Sequence, residues 1–197
     1  MSKFNFRNMS LVLAIMTIPS VAEAMVPSWK IVSQDSEITF TATQNKAPVK
    51  GNFKTFTGEI NFDREQLDKS HVKIVIDIDS LSSSNSDIIR TLLTPDWFDG
   101  KKFPHAVFTA SDFVKGGKNK MGEDVYQAKG KLTIRDKTNP VTVSFVFKEY
   151  SPTKAQASGS TSIKRTEFGV GQGEWSSSAV VEDGVQIDFK LTATPSK

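Results

Sequence analysis

Two histidines, two neighbouring aspartates and a run of glycines are the residues whose types and spacing could do chemistry. His71 and His105 are far apart in the chain, and neither has a partner at metal-ligand spacing. His71 opens an alternating stretch, where it faces solvent, and His105 follows Pro104 in an expected loop. Surface or structural roles suit both. Asp77 and Asp79 share one face if the segment is a strand, with Cα atoms about 6.6–6.8 Å apart. Paired carboxylates at such spacing could act as acid and base in glycoside chemistry. They share the polar face with Lys73, however, and solvation accounts for them. Gly169, Gly171 and Gly173 in FGVGQGEW suggest a phosphate cradle. A dinucleotide fingerprint needs a helix starting at its third glycine. Trp175-Ser176-Ser177-Ser178 is poor helix-starting sequence, and no Gly-Lys-Ser/Thr occurs. The expectation is instead a strand whose glycines lower the barrel wall, leaving room for a side chain such as Trp29 or Trp175, or for a ligand. No Gly-x-Ser-x-Gly elbow is present. The expected inventory of catalytic residues, metal ligands and cofactors is therefore empty.

The elements around these residues are strands. Val72, Ile74, Ile76 and Ile78 alternate with polar neighbours; so do Val141, Val143, Phe145 and Phe147, and Val185, Ile187, Phe189 and Leu191. Such alternation marks antiparallel strands with one buried face. Shorter versions occur at Ile38/Phe40, Ile60/Phe62, Ala106/Phe108/Ala110, Leu132/Ile134 and Ala155/Ala157. Turn chemistry separates them at Lys115 to Asp124, at Arg135 to Pro140, and at Asp183-Gly184, which reads as a hairpin. About eight closely spaced strands argue for a sandwich or a barrel. One amphipathic helix is expected over about residues 85–93. Ser84 and Asp87 have capping-box spacing, Ile88, Ile89, Leu92 and Leu93 form the apolar stripe, and Pro95 stops it.

Lys3 and Arg7, a short apolar run from Met9 to Val21, and Ala22-Glu23-Ala24 read as a cleaved secretory signal over residues 1–24. Residues 25–197 then form a single domain. The chain has no cysteine, so it carries no disulfide or thiol chemistry, and export without disulfides suits a bacterial periplasm. The expected mature chain holds 23 basic and 21 acidic residues, net +2. That near balance, without a basic run interleaved with aromatics, leaves nucleic-acid binding unsupported.

Several stretches together resemble the YceI-like family. They are Trp29-Lys30-Ile31, Ser36-Glu37-Ile38-Thr39-Phe40, Gly51-Asn52-Phe53 and Phe56-Thr57-Gly58-Glu59-Ile60-Asn61-Phe62-Asp63. The Arg90 helix, Trp97-Phe98, Phe103-Pro104 and Phe108 follow. Gly130-Lys131-Leu132-Thr133-Ile134, Thr138-Asn139-Pro140-Val141 and Arg165-Thr166-Glu167-Phe168-Gly169 complete the order. The resemblance implies an all-β, extended lipocalin-like antiparallel β-barrel, exported to the periplasm, that holds a long isoprenoid or similar lipid in its lumen. One departure concerns the helix: many relatives have an acidic residue and a histidine soon after its arginine, whereas Arg90 is followed by Thr91-Leu92-Leu93.

On that reading the candidate lining residues are Phe40, Phe53, Ile60, Phe62, Ile74, Ile76 and Leu92, with Trp97, Phe98, Phe103, Phe108, Phe145, Phe168 and Phe189. About half of them are expected to be plain core, because barrel ends pack shut. Arg90 and Arg165 are candidate partners for a lipid head group, since a guanidinium suits phosphate. The competing role for them is an internal ion pair, such as Arg165 with Glu167 or with a distant aspartate. The expected function is non-catalytic binding, transport or storage of a polyisoprenoid or quinone-like amphiphile. The rivals are a lipid-modifying enzyme and an accessory of a membrane quinone/cytochrome system. The partners to expect are the lipid itself, a membrane or membrane redox protein in passing, and a second copy in a homodimer.

Overall fold

The computed structural model describes residues 25–196; the expected signal segment 1–24 lies outside the described residues. In chain order the strands are β1 (Ser28–Ile31), β2 (Glu37–Gln44), β3 (Ala47–Phe53), β4 (Phe56–Asn61), β5 (His71–Asp77) and β6 (Leu81–Ser82). After the helix α1 (Ser86–Leu92) come β7 (His105–Lys118), β8 (Asp124–Ile134), β9 (Lys137–Tyr150), β10 (Ala155–Lys164) and β11 (Gly184–Pro195). All pairings are antiparallel. Eight strands, β1-β4-β5-β7-β8-β9-β10-β11, form a ring that closes where β1 bonds β11, with β2, β3 and β6 branching from β11 as extra strands. The all-β antiparallel barrel with one short helix is thus the fold.

Inward residues follow the two-residue period of each strand: Val72, Ile74 and Ile76 on β5, Val141 to Phe147 on β9, Ile187 to Ala193 on β11. Three register irregularities interrupt that period, and two of them bear on the interior. The β7–β8 register slips between Ala110 and Asp112, which brings Phe113 inward after Phe108 and Ala110. On β9 the extra residue Lys148 separates Phe147, opposite Ala157, from Glu149, opposite Gln156, so Phe147 and Tyr150 both reach the interior. Each bulge adds one unpaired residue and bends its strand, which helps a sheet curl into a barrel.

Glycines do provide room inside the strands, though not the three expected ones. Gly51 lies opposite Phe40, and Gly159 opposite both Phe145 and Phe189. A Cβ at Gly51 would come within 2.5 Å of the Phe40 ring, and one at Gly159 within 2.3 Å of the Ser144 carbonyl. The rings lie over bare backbone. Gly169, Gly171 and Gly173 are not in a strand at all. Arg165–Phe168 is a 3-10 turn capped by Gly169 in the left-handed region (φ 67°), and a second such turn spans Gly173–Ser176. Gly171 also has positive φ (78°), and its missing side chain makes room for Arg165 and Trp97.

Other local expectations need correction. The strand β5 ends at Asp77, and Ile78–Ser80 is a 3-10 turn, so Asp77 and Asp79 do not share a strand face. The Asp77 carboxylate instead accepts from the Asp79 amide at 3.0 Å, capping that turn. The α1 cap is Asn85 rather than Ser84: its side-chain oxygen accepts from the Asp87 amide at 2.9 Å. Asp183-Gly184 is not a hairpin between strands, since only Val181 bridges to Gln44 before β11 begins. Two-residue hairpins lie instead at Asn45-Lys46 between β2 and β3, with φ 49° and 65°, and at Arg135-Asp136 between β8 and β9, with Arg135 at φ 55° and Pro140 inside β9. His105 is the exposed first residue of β7 rather than a loop residue.

The close strand approach at Gly130 makes a stability prediction. A Cβ there would sit 2.2 Å from the Thr109 carbonyl oxygen, a backbone atom that cannot move alone. Gly130→Val should lower unfolding stability by about 2 kcal/mol or more in urea titration. Gly117→Ala, with nothing within 4 Å of the added carbon, should stay within about 0.5 kcal/mol.

Candidate ligand-binding lumen

The barrel encloses an apolar cavity of about 200 Å³. Its lining is hydrocarbon apart from the Thr161 and Tyr150 hydroxyls and the Trp29 indole, and no charged side chain takes part. Ile74, Ile76, Phe108 and Leu132 supply one wall; Val141, Val143, Ala157, Ile187 and Phe189 supply the other. A cavity of about 150 Å³ lined by Leu, Ile and Phe stays dry and takes up benzene. By that measure the lumen repels water and offers an apolar guest a seat.

Seven of the fourteen residues expected to line the lumen do so: Ile60, Phe62, Ile74, Ile76, Phe108, Phe145 and Phe189. The other seven do not. Phe40, Leu92, Trp97 and Phe168 are buried in the packing under α1, with Phe53 and Phe98 against them. Phe53 meets Phe98 edge-on at 6.0 Å, and Trp97 meets Trp175 at 5.6 Å. Phe103 is outside the lumen, between the Lys102 ammonium and the Arg135 guanidinium, each within 5.4 Å of its ring centre. The helix therefore lies on a solid plug rather than over an open mouth.

The end away from α1 is filled by a second aromatic group. Phe62 is its hub, with Phe113, Phe147, Phe145, Tyr126 and Tyr150 ring centres 5.3–6.3 Å away. Its carbonyl accepts from the Trp29 indole at 2.9 Å and the Tyr150 hydroxyl at 3.3 Å. Burial pushes the Tyr150 phenol above its usual pKa, with Asp63 adding to the effect. Trp29, Phe113, Phe147 and Tyr150 were not among the expected lining residues. Phe147 was legible from the β9 alternation; Phe113 and Tyr150 were hidden by the bulges.

Neither candidate head-group arginine faces the lumen. Arg90 is on the outside of α1, exposed, and pairs with Asp87 one turn back. Arg165 is 2% exposed and enclosed by main-chain carbonyls. It donates to Val170, Gly171, Val181, Glu182 and Ser177 at 2.8–3.4 Å, with the Trp97 ring beside it. Burial pulls its pKa down, and Asp183 opposes that. The expected Arg165–Glu167 pair does not form, because Glu167 turns to Lys164. His71 bonds Asn61 at the surface and His105 is exposed. Among the described residues no group of three metal-ligating side chains occurs.

With that geometry, the chain compares closely with known proteins. The YceI-like domain model matches residues 29–193. The chain belongs to the YceI-like family. UPF0312 proteins of Vibrio campbellii and Vibrio vulnificus are 31% identical over 50% and 61% of this chain, matches that span 50% and 62% of those relatives. Among solved structures, Burkholderia cenocepacia BcnA aligns over 83% of this chain and 99% of its own, at 32% identity and a TM-score of 0.76. A polyisoprenoid binding domain from Saccharophagus degradans aligns over 86% and 99%, at 12% identity and a TM-score of 0.67, a likeness of fold alone.

The carbonyl cage around Arg165 makes two predictions. Arg165→Met should cost about 3 kcal/mol in chemical unfolding, since buried carbonyls lose their donor. Partial burial pushes the Asp183 carboxyl up, but hydrogen bonds from Thr166 and the Arg165 charge outweigh it and hold its pKa below the usual value. A depressed carboxylate stabilises the fold above its unfolded pKa and loses that contribution as pH falls through the folded one. Thermal unfolding followed from pH 6 down to pH 2 should therefore decline less steeply in Asp183→Asn than in the native chain.

Proposed function

We propose that this protein is an exported, non-catalytic carrier or store for a long-chain amphiphile, a polyisoprenoid or quinone-like lipid whose apolar tail is seated in the lumen. The observation that carries the reading is a ring of eight strands around an uncharged cavity of about 200 Å³. Burial of each CH₂ contributes about 0.8 kcal/mol, so a few carbons give useful affinity without a polar anchor. Selectivity among tails is then weak, as suits a carrier. The likeness to a domain named for polyisoprenoid binding supports the choice of guest. Export rests on residues 1–24, whose basic start, apolar run and Ala-x-Ala end match a signal peptide.

The cavity also bounds the guest. At a little more than the benzene-binding volume it seats a segment of a prenyl tail, and the rest of a long chain lies outside the wall or displaces aromatic side chains. Ala157 lines the lumen between Phe147 and Leu191, so Ala157→Phe should occupy the space a tail needs. Native mass spectrometry with added farnesol should show a one-to-one complex for the native chain and at least tenfold less for Ala157→Phe. Equal uptake by both would place the bound lipid elsewhere.

A further inference from the structure

The barrel wall has a break that the lumen reaches. On β9, residues Lys137 to Val143 pair with β8 along one edge; on β10, Thr161 to Lys164 pair with β11. Between β9 and β10 themselves the ladder stops at Ser160 opposite Ser144. Continued register would set Thr161 against Val143 and Ser162 against Thr142, yet those pairs are not made. Two side-chain bonds cross the seam instead: the Thr161 hydroxyl donates to the Thr142 carbonyl at 2.9 Å, and the Asn139 amide to the Glu167 carbonyl at 3.0 Å. Val141, Val143 and Thr161 border the seam and line the cavity, and all three are only half-buried.

A second break, along the edge of β4 from Phe56 to Glu59, is sealed. Buried Ile38, Phe56 and Ile74 fill it, and a Cβ on Gly58 would come within 2.6 Å of Ile31. Both barrel ends are closed by aromatic packing. The β9–β10 seam is held by two side-chain hydrogen bonds, which cost less to release than a buried ring cluster costs to unpack.

We propose that the β9–β10 seam is the lateral entrance to the lumen, with Thr161 as its latch: the tail slides in between the strands and the head group stays on the outer face beside Thr142 and Ser162. The proposal rests on the lumen being the lipid site, and it also explains how a cavity too small for a whole polyprenyl chain serves one, since the excess length has an exit.

The absence of cysteine allows a clean test. Thr142→Cys with Ser162→Cys, both exposed, staples the seam by a disulfide or a short bis-maleimide. Ser162→Cys with Gln186→Cys staples β10 to β11 where the ladder is intact and serves as control. Uptake of NBD-labelled farnesol, followed by stopped-flow fluorescence, should slow at least tenfold in the stapled seam and recover on opening of the disulfide, with the control unchanged. Thr161→Val, which keeps the shape and loses the bond, should load several-fold faster. Equal rates in stapled and open seam variants would overturn the entrance, and an unchanged rate in Thr161→Val would overturn the latch. No uptake by any unstapled protein would instead overturn the lumen as the lipid site, so the two failures read differently.

Discussion

Closure of the sheet is the constraint from which the rest follows. β1 is four residues long, yet it bonds β4 on one side and β11 on the other, and without it the other seven strands would be an open sheet. Once the ring is closed, every second residue must point inward, and the interior is only as open as those side chains leave it. At both ends they are large and interlock. In the middle most are Val, Ile, Leu and Ala, with Phe108 and Phe189 among them, and space remains. Native interiors pack densely, with few voids larger than a water molecule. On the T4 lysozyme scale of about 24 cal/mol per Å³, a void of about 200 Å³ costs on the order of 5 kcal/mol. A fold that retains such a void gains that stability back when an apolar guest fills it.

The same logic separates the polar groups from the guest. Arg165 is fully engaged in tying the segment after β10 together through main-chain carbonyls, which that segment needs because it runs from Arg165 to Asp183 with only two 3-10 turns of its own. Asp96 joins it to the loop after α1 by accepting from the Gly171 and Gln172 amides, each at 2.8 Å. The positive charge thus serves the closed end of the barrel. The lumen is left with area and shape alone, since no charged side chain lines it.

Much of this was legible in the chain. The alternation on β5, β9 and β11 marked the inward faces, because a strand half-buried in a barrel must repeat every second residue. The ordered stretches from Trp29 to Gly169 pointed to the family. What was not legible depended on long-range geometry. Phe113 and Tyr150 enter the lumen only because bulges shift the period, and a bulge shows only against a partner strand. Leu92, Trp97 and Phe168 have the same apolar character as lining residues, but the helix and the glycine-rich segment fold down on them. The glycine run looked like a strand because Val170 alternates with glycines, whereas positive φ at three of them breaks any strand. Arg165 found carbonyls rather than a carboxylate, a partner that sequence spacing does not display.

The central claim is that an apolar tail occupies the interior between the two aromatic plugs. Methyl-resolved NMR during titration with geranylgeraniol tests it most directly. The account predicts that the methyl signals of Ile74, Leu132, Val143 and Ile187 move together and saturate, while those of Met121 and Val180, exposed on the outside, stay in place. Shifts confined to outer methyls, with the interior signals unmoved at saturating lipid, would contradict it.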